Sequence, residues 1–111
     1  MVVDYGMGNV GSIMNMIRYV GGEAMTTKDP EDLEVASGII LPGVGKFGRG
    51  MEYLIECGWI DPLNYCAIEK QIPTLGICLG MQLMTRGSEE SPGVGGLGWV
   101  AADTVRFRLD P

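Results

Sequence analysis

The five residues Gly76-Ile77-Cys78-Leu79-Gly80 set a cysteine between two glycines, each two positions away. An apolar run from Pro73 to Ile77 precedes the thiol, and Leu79-Gly80-Met81-Gln82-Leu83-Met84 follows it with helical character. This is the pattern of a nucleophile elbow with Cys in place of Ser. A buried strand turns sharply into a helix, the nucleophile takes a strained backbone conformation, and the glycines give clearance. The thiol then projects over the first helical turn, where unpaired N–H groups favour a thiolate and can hold an oxyanion. The Leu79 N–H is the expected donor. The same residues also fit a structural cysteine at a strand end, so the strand-then-helix context carries the functional reading. Cys57 and Cys66 lack that context and read as core or near-core thiols on amphipathic helices. No Cys/His/carboxylate spacing suggests a metal, and no cofactor is expected.

Two glycine-rich turns accompany the elbow. Pro42-Gly43-Val44-Gly45 follows the apolar run Ile39-Ile40-Leu41. Ligands of parallel sheets collect at the carboxyl ends of strands, and the bare backbone at Gly43 and Gly45 lets peptide N–H groups approach a substrate oxygen. An ordinary turn would read the same way. Gly6-Met7-Gly8-Asn9-Val10-Gly11 satisfies G-x-G-x-x-G between a strand and a helix, the context of a dinucleotide fingerprint. Asp29 lies near the distance expected of a ribose-binding acid but in a Lys28-Asp29-Pro30 turn. Asp4 adds negative charge where a pyrophosphate would sit. A dinucleotide-binding domain is therefore the weakest alternative.

The elements that position these residues alternate between strand and helix. Val2 to Tyr5 reads as a first strand. Val10, Ile13, Met14, Ile17 and Val20 recur at helical spacing, with Asn9 as N-cap and Gly21-Gly22 as stop. Glu23 to Thr27 reads as a second strand and Asp29-Pro30 as a short helix start. Ile39-Ile40-Leu41 and Pro73 to Cys78 read as strands buried on both faces. Met51 to Cys57 and Asp61 to Lys70 read as helices. Ser88 to Gly98 is a glycine-rich loop, and Trp99 to Leu109 predicts one or two strands. The pattern predicts a three-layer α/β fold with a mostly parallel sheet, residues 1–111 forming a single unit.

Composition narrows the function classes. The 111 residues are 46% hydrophobic and 20% charged, suited to a packed domain rather than a disordered chain. A net charge of −6 without a basic cluster argues against nucleic-acid binding. No apolar stretch nears the ~18 residues of a membrane span, and no leader-like segment opens the chain. Three cysteines without framework spacing predict a reduced, cytoplasmic setting. The 111 residues contain no histidine, so a mechanism needing an imidazole base cannot be completed by them alone.

Taken together and in order, Asp4-Tyr5-Gly6-Met7-Gly8-Asn9, Leu41-Pro42-Gly43-Val44-Gly45-Lys46-Phe47-Gly48, Gly76-Ile77-Cys78-Leu79-Gly80-Met81-Gln82-Leu83 and Ser88-Glu89-Glu90 resemble the glutaminase subunits of imidazole glycerol phosphate synthase. These are triad-type, class I glutamine amidotransferases of histidine biosynthesis, with close relatives in surface-sugar biosynthesis. The resemblance covers this chain but only about the first half of the family's. It implies a truncated flavodoxin-like amidotransferase domain in which Cys78 attacks the side-chain amide of glutamine. It implies an oxyanion hole from the backbone of Leu79 and Val44, with the Gly43-Val44-Gly45 segment reorienting when the partner is occupied. It implies that Gly43, Gly45, Gln82 and Glu90 hold glutamine. The loop carrying Gly8, Asn9 and Ser12 would face a (β/α)8-barrel cyclase that receives ammonia. The family's catalytic His and Glu come from its second half, so these 111 residues are expected to lack full activity, and an uncovered sheet edge invites homo-oligomers. The alternative is a non-catalytic binding or oligomerising module derived from the family.

Overall fold

A computed structural model describes residues 1–109; Asp110 and Pro111, the last positions of the expected unit, lie outside the described residues. Strands β1 (Val2–Val3), β2 (Thr26–Thr27), β3 (Ile39–Leu41) and β4 (Thr74–Gly76) form one all-parallel sheet in the order β2-β1-β3-β4. Val2 faces Thr26 on one side and Ile40 on the other, and Leu41 pairs with Gly76. This is the flavodoxin-like order, in which the winding direction reverses between β1 and β3 and opens a crevice at their carboxyl ends. The α/β fold follows as expected, with the loops after β1, β3 and β4 gathered on one edge.

Each helix has a local reason to exist. Helix α1 (Val10–Tyr19) starts where Asn9 Oδ1 accepts the Ser12 N–H at 3.1 Å, satisfying one of the free first-turn donors. The turn Pro30–Val35 is 3-10 rather than α, capped by the Asp29 side chain accepting from the Glu31 N–H. Helix α2 (Phe47–Glu56) begins four residues before the expected Met51. Its own N-cap, Lys46, offers no side-chain acceptor. Instead Glu90 Oε1 accepts the Phe47 N–H and Ser91 Oγ the Gly48 N–H, both at 2.8 Å. A remote cap of this kind leaves no signal in the sequence around residue 47. Helix α3 (Ile60–Asn64) continues as a π-helical turn to Glu69, and α4 (Leu79–Leu83) follows β4.

The core joins the sheet to α2, α3 and α4 through Leu33, Ile39, Leu41, Phe47, Leu54, Trp59, Leu63, Leu79 and Leu83, all essentially inaccessible. Each such side chain contributes about 1.5–3 kcal/mol by leaving water. Helix α1 contributes no fully buried residue.

Three expectations are corrected. Strand β4 is not buried on both faces: Leu75 and Ile77, two residues apart and so on one face, remain 58% and 37% exposed, and β4 is also the sheet edge among the described residues. Trp99 to Leu109 does not form regular strands, because among the described residues it has no adjacent strand to extend; Thr104 makes a single bridge to Ser88, and Phe107 and Leu109 stay exposed. Cys57 ends α2 in solvent rather than in the core, whereas Cys66 is buried as expected. Among the described residues no helix is long and apolar enough to cross a membrane, and no group of His, Cys, Asp and Glu could hold a metal.

Candidate functional site

Cys78 stands at the junction of β4 and α4 with φ +54° and ψ −115°, a conformation that costs an L-residue about 1–3 kcal/mol. The surroundings enforce it. The Ile77 N–H donates to the Leu41 carbonyl at 3.0 Å, and the Gln82 N–H donates to the Cys78 carbonyl at 3.1 Å, fixing the residue before and the helix after. A Cβ at Gly76 would come within 2.8 Å of the Met81 backbone nitrogen, and one at Gly80 would land on the Leu41 carbonyl oxygen. Both glycines are therefore required by close backbone approach, as the elbow pattern demands. The Cys78 thiol is solvent-accessible.

The loops after β1 and β3 meet beside this elbow. The Cβ of a residue at Gly8 would lie 3.4 Å from the Gly43 Cα. The buried Tyr5 hydroxyl donates to the Pro42 carbonyl at 2.7 Å. Burial pushes the Tyr5 phenol well above its ordinary range, and the neighbouring Cys78 adds to the shift. The Val44 N–H donates to the Met7 carbonyl at 2.5 Å, and the Leu79 N–H donates to the Gly43 carbonyl at 3.1 Å. Both donors expected to hold an oxyanion are thus engaged within the protein. The Gly43 carbonyl occupies the Leu79 donor, while the Val44 N–H on the same peptide points away. A half-turn of the Gly43–Val44 peptide would free the first donor and turn the second toward it.

Gln82 lies one helical turn beyond Cys78 and lines a cavity of about 600 Å³ with Ser88, Glu90, Thr104, Arg106 and Phe107. Glu90 reaches this cavity while one carboxylate oxygen caps α2. Gly43 is buried and Gly45 exposed on the loop after β3. The structure thus joins Leu79 to Gly43 and Cys78 to Gln82 by backbone hydrogen bonds, with Val44 tied to Met7 on the adjoining loop, and Gln82 and Glu90 line one cavity. Gly8, Asn9 and Ser12 are exposed at the start of α1, on the same carboxyl edge. The G-x-G-x-x-G loop spends the Met7 carbonyl on Val44 and the Asn9 side chain on its own helix, and Asp29 caps its own turn.

Sequence reading missed Tyr5 and the ion pair of Glu89 with Arg108, whose atoms approach to 2.5 Å. The Arg106 backbone N–H and the Arg108 guanidinium hold the Glu89 carboxyl below its ordinary range. A lone aromatic among small turn residues was the available signal for Tyr5; none existed for Glu89.

Comparison with known proteins identifies the family. The protein-family model for class-I glutamine amidotransferases matches residues 1–96. The chain is 53% identical over 108 residues to an imidazole glycerol phosphate synthase subunit HisH 2 of Methanococcus maripaludis, covering 97% of this chain and 53% of that protein. It is 44% identical over 106 residues to the subunit HisH 2 of Pseudomonas aeruginosa, covering 96% and 52%. It is 39% identical over 109 residues to the imidazole glycerol phosphate synthase hisHF of Schizosaccharomyces pombe, covering 98% and 20%. The chain spans about half the length of the curated HisH relatives it matches. A crystal structure of a glutamine amidotransferase superposes with a TM-score of 0.78 at 23% identity, covering 95% of this chain and 56% of that one, which shows the shared fold. The chain belongs to the class-I glutamine amidotransferase family.

Proposed function

We propose that this amidotransferase chain is the nucleophile-bearing part of a single glutaminase domain, incomplete in these 111 residues, that serves a cytoplasmic imidazole glycerol phosphate synthase in histidine biosynthesis. Cys78 Sγ attacks the side-chain carbonyl carbon of glutamine, the C–N bond breaks, and ammonia leaves. Water then cleaves the thioester to glutamate and regenerates the thiol. The observation that carries the reading is the strained, accessible Cys78 between two obligatory glycines, beside a loop whose Val44 N–H can turn toward it. Gln82 and Glu90 would hold the substrate from the adjoining cavity, with Gly43 and Gly45 giving its approach bare backbone. Gly8, Asn9 and Ser12, exposed on the same edge, would meet the (β/α)8-barrel cyclase that consumes the ammonia.

The thiol must lose a proton and the departing amine must gain one. General acid–base assistance is worth ~10²–10⁴-fold, and no histidine in the 111 residues supplies it. The reading therefore places the base and acid outside these residues. In the 111-residue chain the exposed Leu75, Ile77 and Met81 beside the β4 edge favour homo-oligomers. The reading is tested with 6-diazo-5-oxo-L-norleucine, a thiol-alkylating glutamine analogue, followed by peptide mapping. The adduct is expected on Cys78, with excess glutamine protecting it. Equal labelling of Cys57, or no protection by glutamine, would refute the reading. Sustained ammonia release abolished by Cys78→Ala would show instead that the 111 residues suffice.

A further inference from the structure

The backbone that crosses the mouth of the site is pinned at four successive residues. The Leu41 carbonyl accepts from Ile77, the Pro42 carbonyl from the Tyr5 hydroxyl, and the Gly43 carbonyl from Leu79, while the Val44 N–H donates to Met7. Three of the four partners are backbone groups. Only the Tyr5 contact depends on a side chain, and it spans 37 residues from a fully packed ring. A Cβ at Gly43 would overlap the Tyr5 hydroxyl oxygen and lie 3.1 Å from the Leu79 Cβ, so that hydroxyl sits directly against the Cα about which the next peptide turns.

We propose that Tyr5 is a positioning residue that clamps the Pro42–Gly43 peptide and so confines motion at the site to rotation of the Gly43–Val44 peptide. Opening the Leu79 donor breaks two hydrogen bonds, from Leu79 to Gly43 and from Val44 to Met7. With Pro42 held, the remaining freedom lies in Gly43 ψ and Val44 φ, and their coupled turn delivers the Val44 N–H beside Cys78. Without the hydroxyl, the Pro42 carbonyl is buried and unpaired, the preceding peptide is free to tilt, and the same opening disperses into displacement of the whole loop. The inference rests on the glutaminase reading, which alone gives the Val44 N–H a substrate oxygen to hold.

The test is amide hydrogen exchange in the ¹⁵N-labelled 111-residue chain, with no glutamine present. Tyr5→Phe keeps the ring and removes the donor. A lost hydrogen bond to a buried carbonyl corresponds to roughly tenfold in an opening equilibrium. The Leu79 and Val44 amides are therefore expected to exchange roughly tenfold faster, with Ile40 and Leu63 unchanged. Exchange at Leu79 and Val44 within about twofold of the parent overturns the proposal, as does an equal acceleration at Ile40 and Leu63, which would mean general loosening. Should Tyr5→Phe not fold, 3-fluorotyrosine at position 5 keeps ring and hydroxyl while strengthening the donor. Selective slowing at Leu79 and Val44 then supports the clamp, and unchanged rates overturn it. Because no substrate enters the measurement, it can fail while glutamine-protected labelling of Cys78 succeeds, and the reverse.

Discussion

Replacing Cys78 by glycine should stabilise the fold relative to replacing it by alanine, the reverse of the usual order. At an ordinary position glycine is the worse choice by about 0.4–1 kcal/mol, because its unfolded chain has more freedom to lose. Position 78 is not ordinary. With φ +54° and ψ −115°, any residue bearing a Cβ is strained, by about 2 kcal/mol at the middle of the range for such outliers. The side chain is accessible, so its removal forfeits little burial. Alanine keeps the Cβ and the strain; glycine loses both and retains only the entropic cost. The difference is about 1 kcal/mol in favour of Cys78→Gly, or about 4 °C in Tm for a chain of this size. Urea unfolding of the two variants, compared at equal m, measures it. A Cys78→Gly midpoint at or below that of Cys78→Ala would refute the claim that the turn stores strain at position 78.

Gly80→Ala drives a methyl group into the Leu41 backbone, where no rotamer change makes room; urea unfolding should show a loss of about 3 kcal/mol, the upper end for overpacking. Glu90→Ala removes the acceptor that caps α2 from 43 residues away, and should cost about 1 kcal/mol in the same assay. Tyr5 should make stability fall at alkaline pH. Its folded pKa is raised above the ordinary 10.0, so the unfolded chain sheds the proton first and deprotonation favours unfolding. The contribution is intact below about pH 10 and is lost progressively above it, by about 1.4 kcal/mol at pH 11 relative to Tyr5→Phe. Parallel alkaline profiles for parent and Tyr5→Phe, compared by urea midpoint, would contradict this.

What the sequence made legible was whatever depends on neighbours along the chain. The elbow around Cys78 was readable because its requirements, a strand before, a helix after and glycine two residues either side, are all local. The Asn9 cap of α1 and the Asp29 cap of the following turn were readable for the same reason. The start of α2 was not, since its first two N–H groups are satisfied by Glu90 and Ser91. Nor was the exposure of β4. The run Pro73 to Cys78 reads like that of a buried strand, and only the packing reveals that the face bearing Leu75 and Ile77 is left uncovered among the described residues.

That order also explains why the chemistry-bearing segments, more than 30 residues apart in sequence, work as one unit. Placing β3 between β1 and β4 puts the Pro42 loop between the Tyr5 turn and the Cys78 elbow. The loop can then exchange hydrogen bonds with both sides at once, taking Tyr5 and Met7 from one and Leu79 from the other. An order with β1 between β3 and β4 would leave the same motifs intact and part the loop from Leu79. The local motifs set what each loop can offer; the strand order decides whether the Gly43–Val44 peptide lies between Met7 and Leu79.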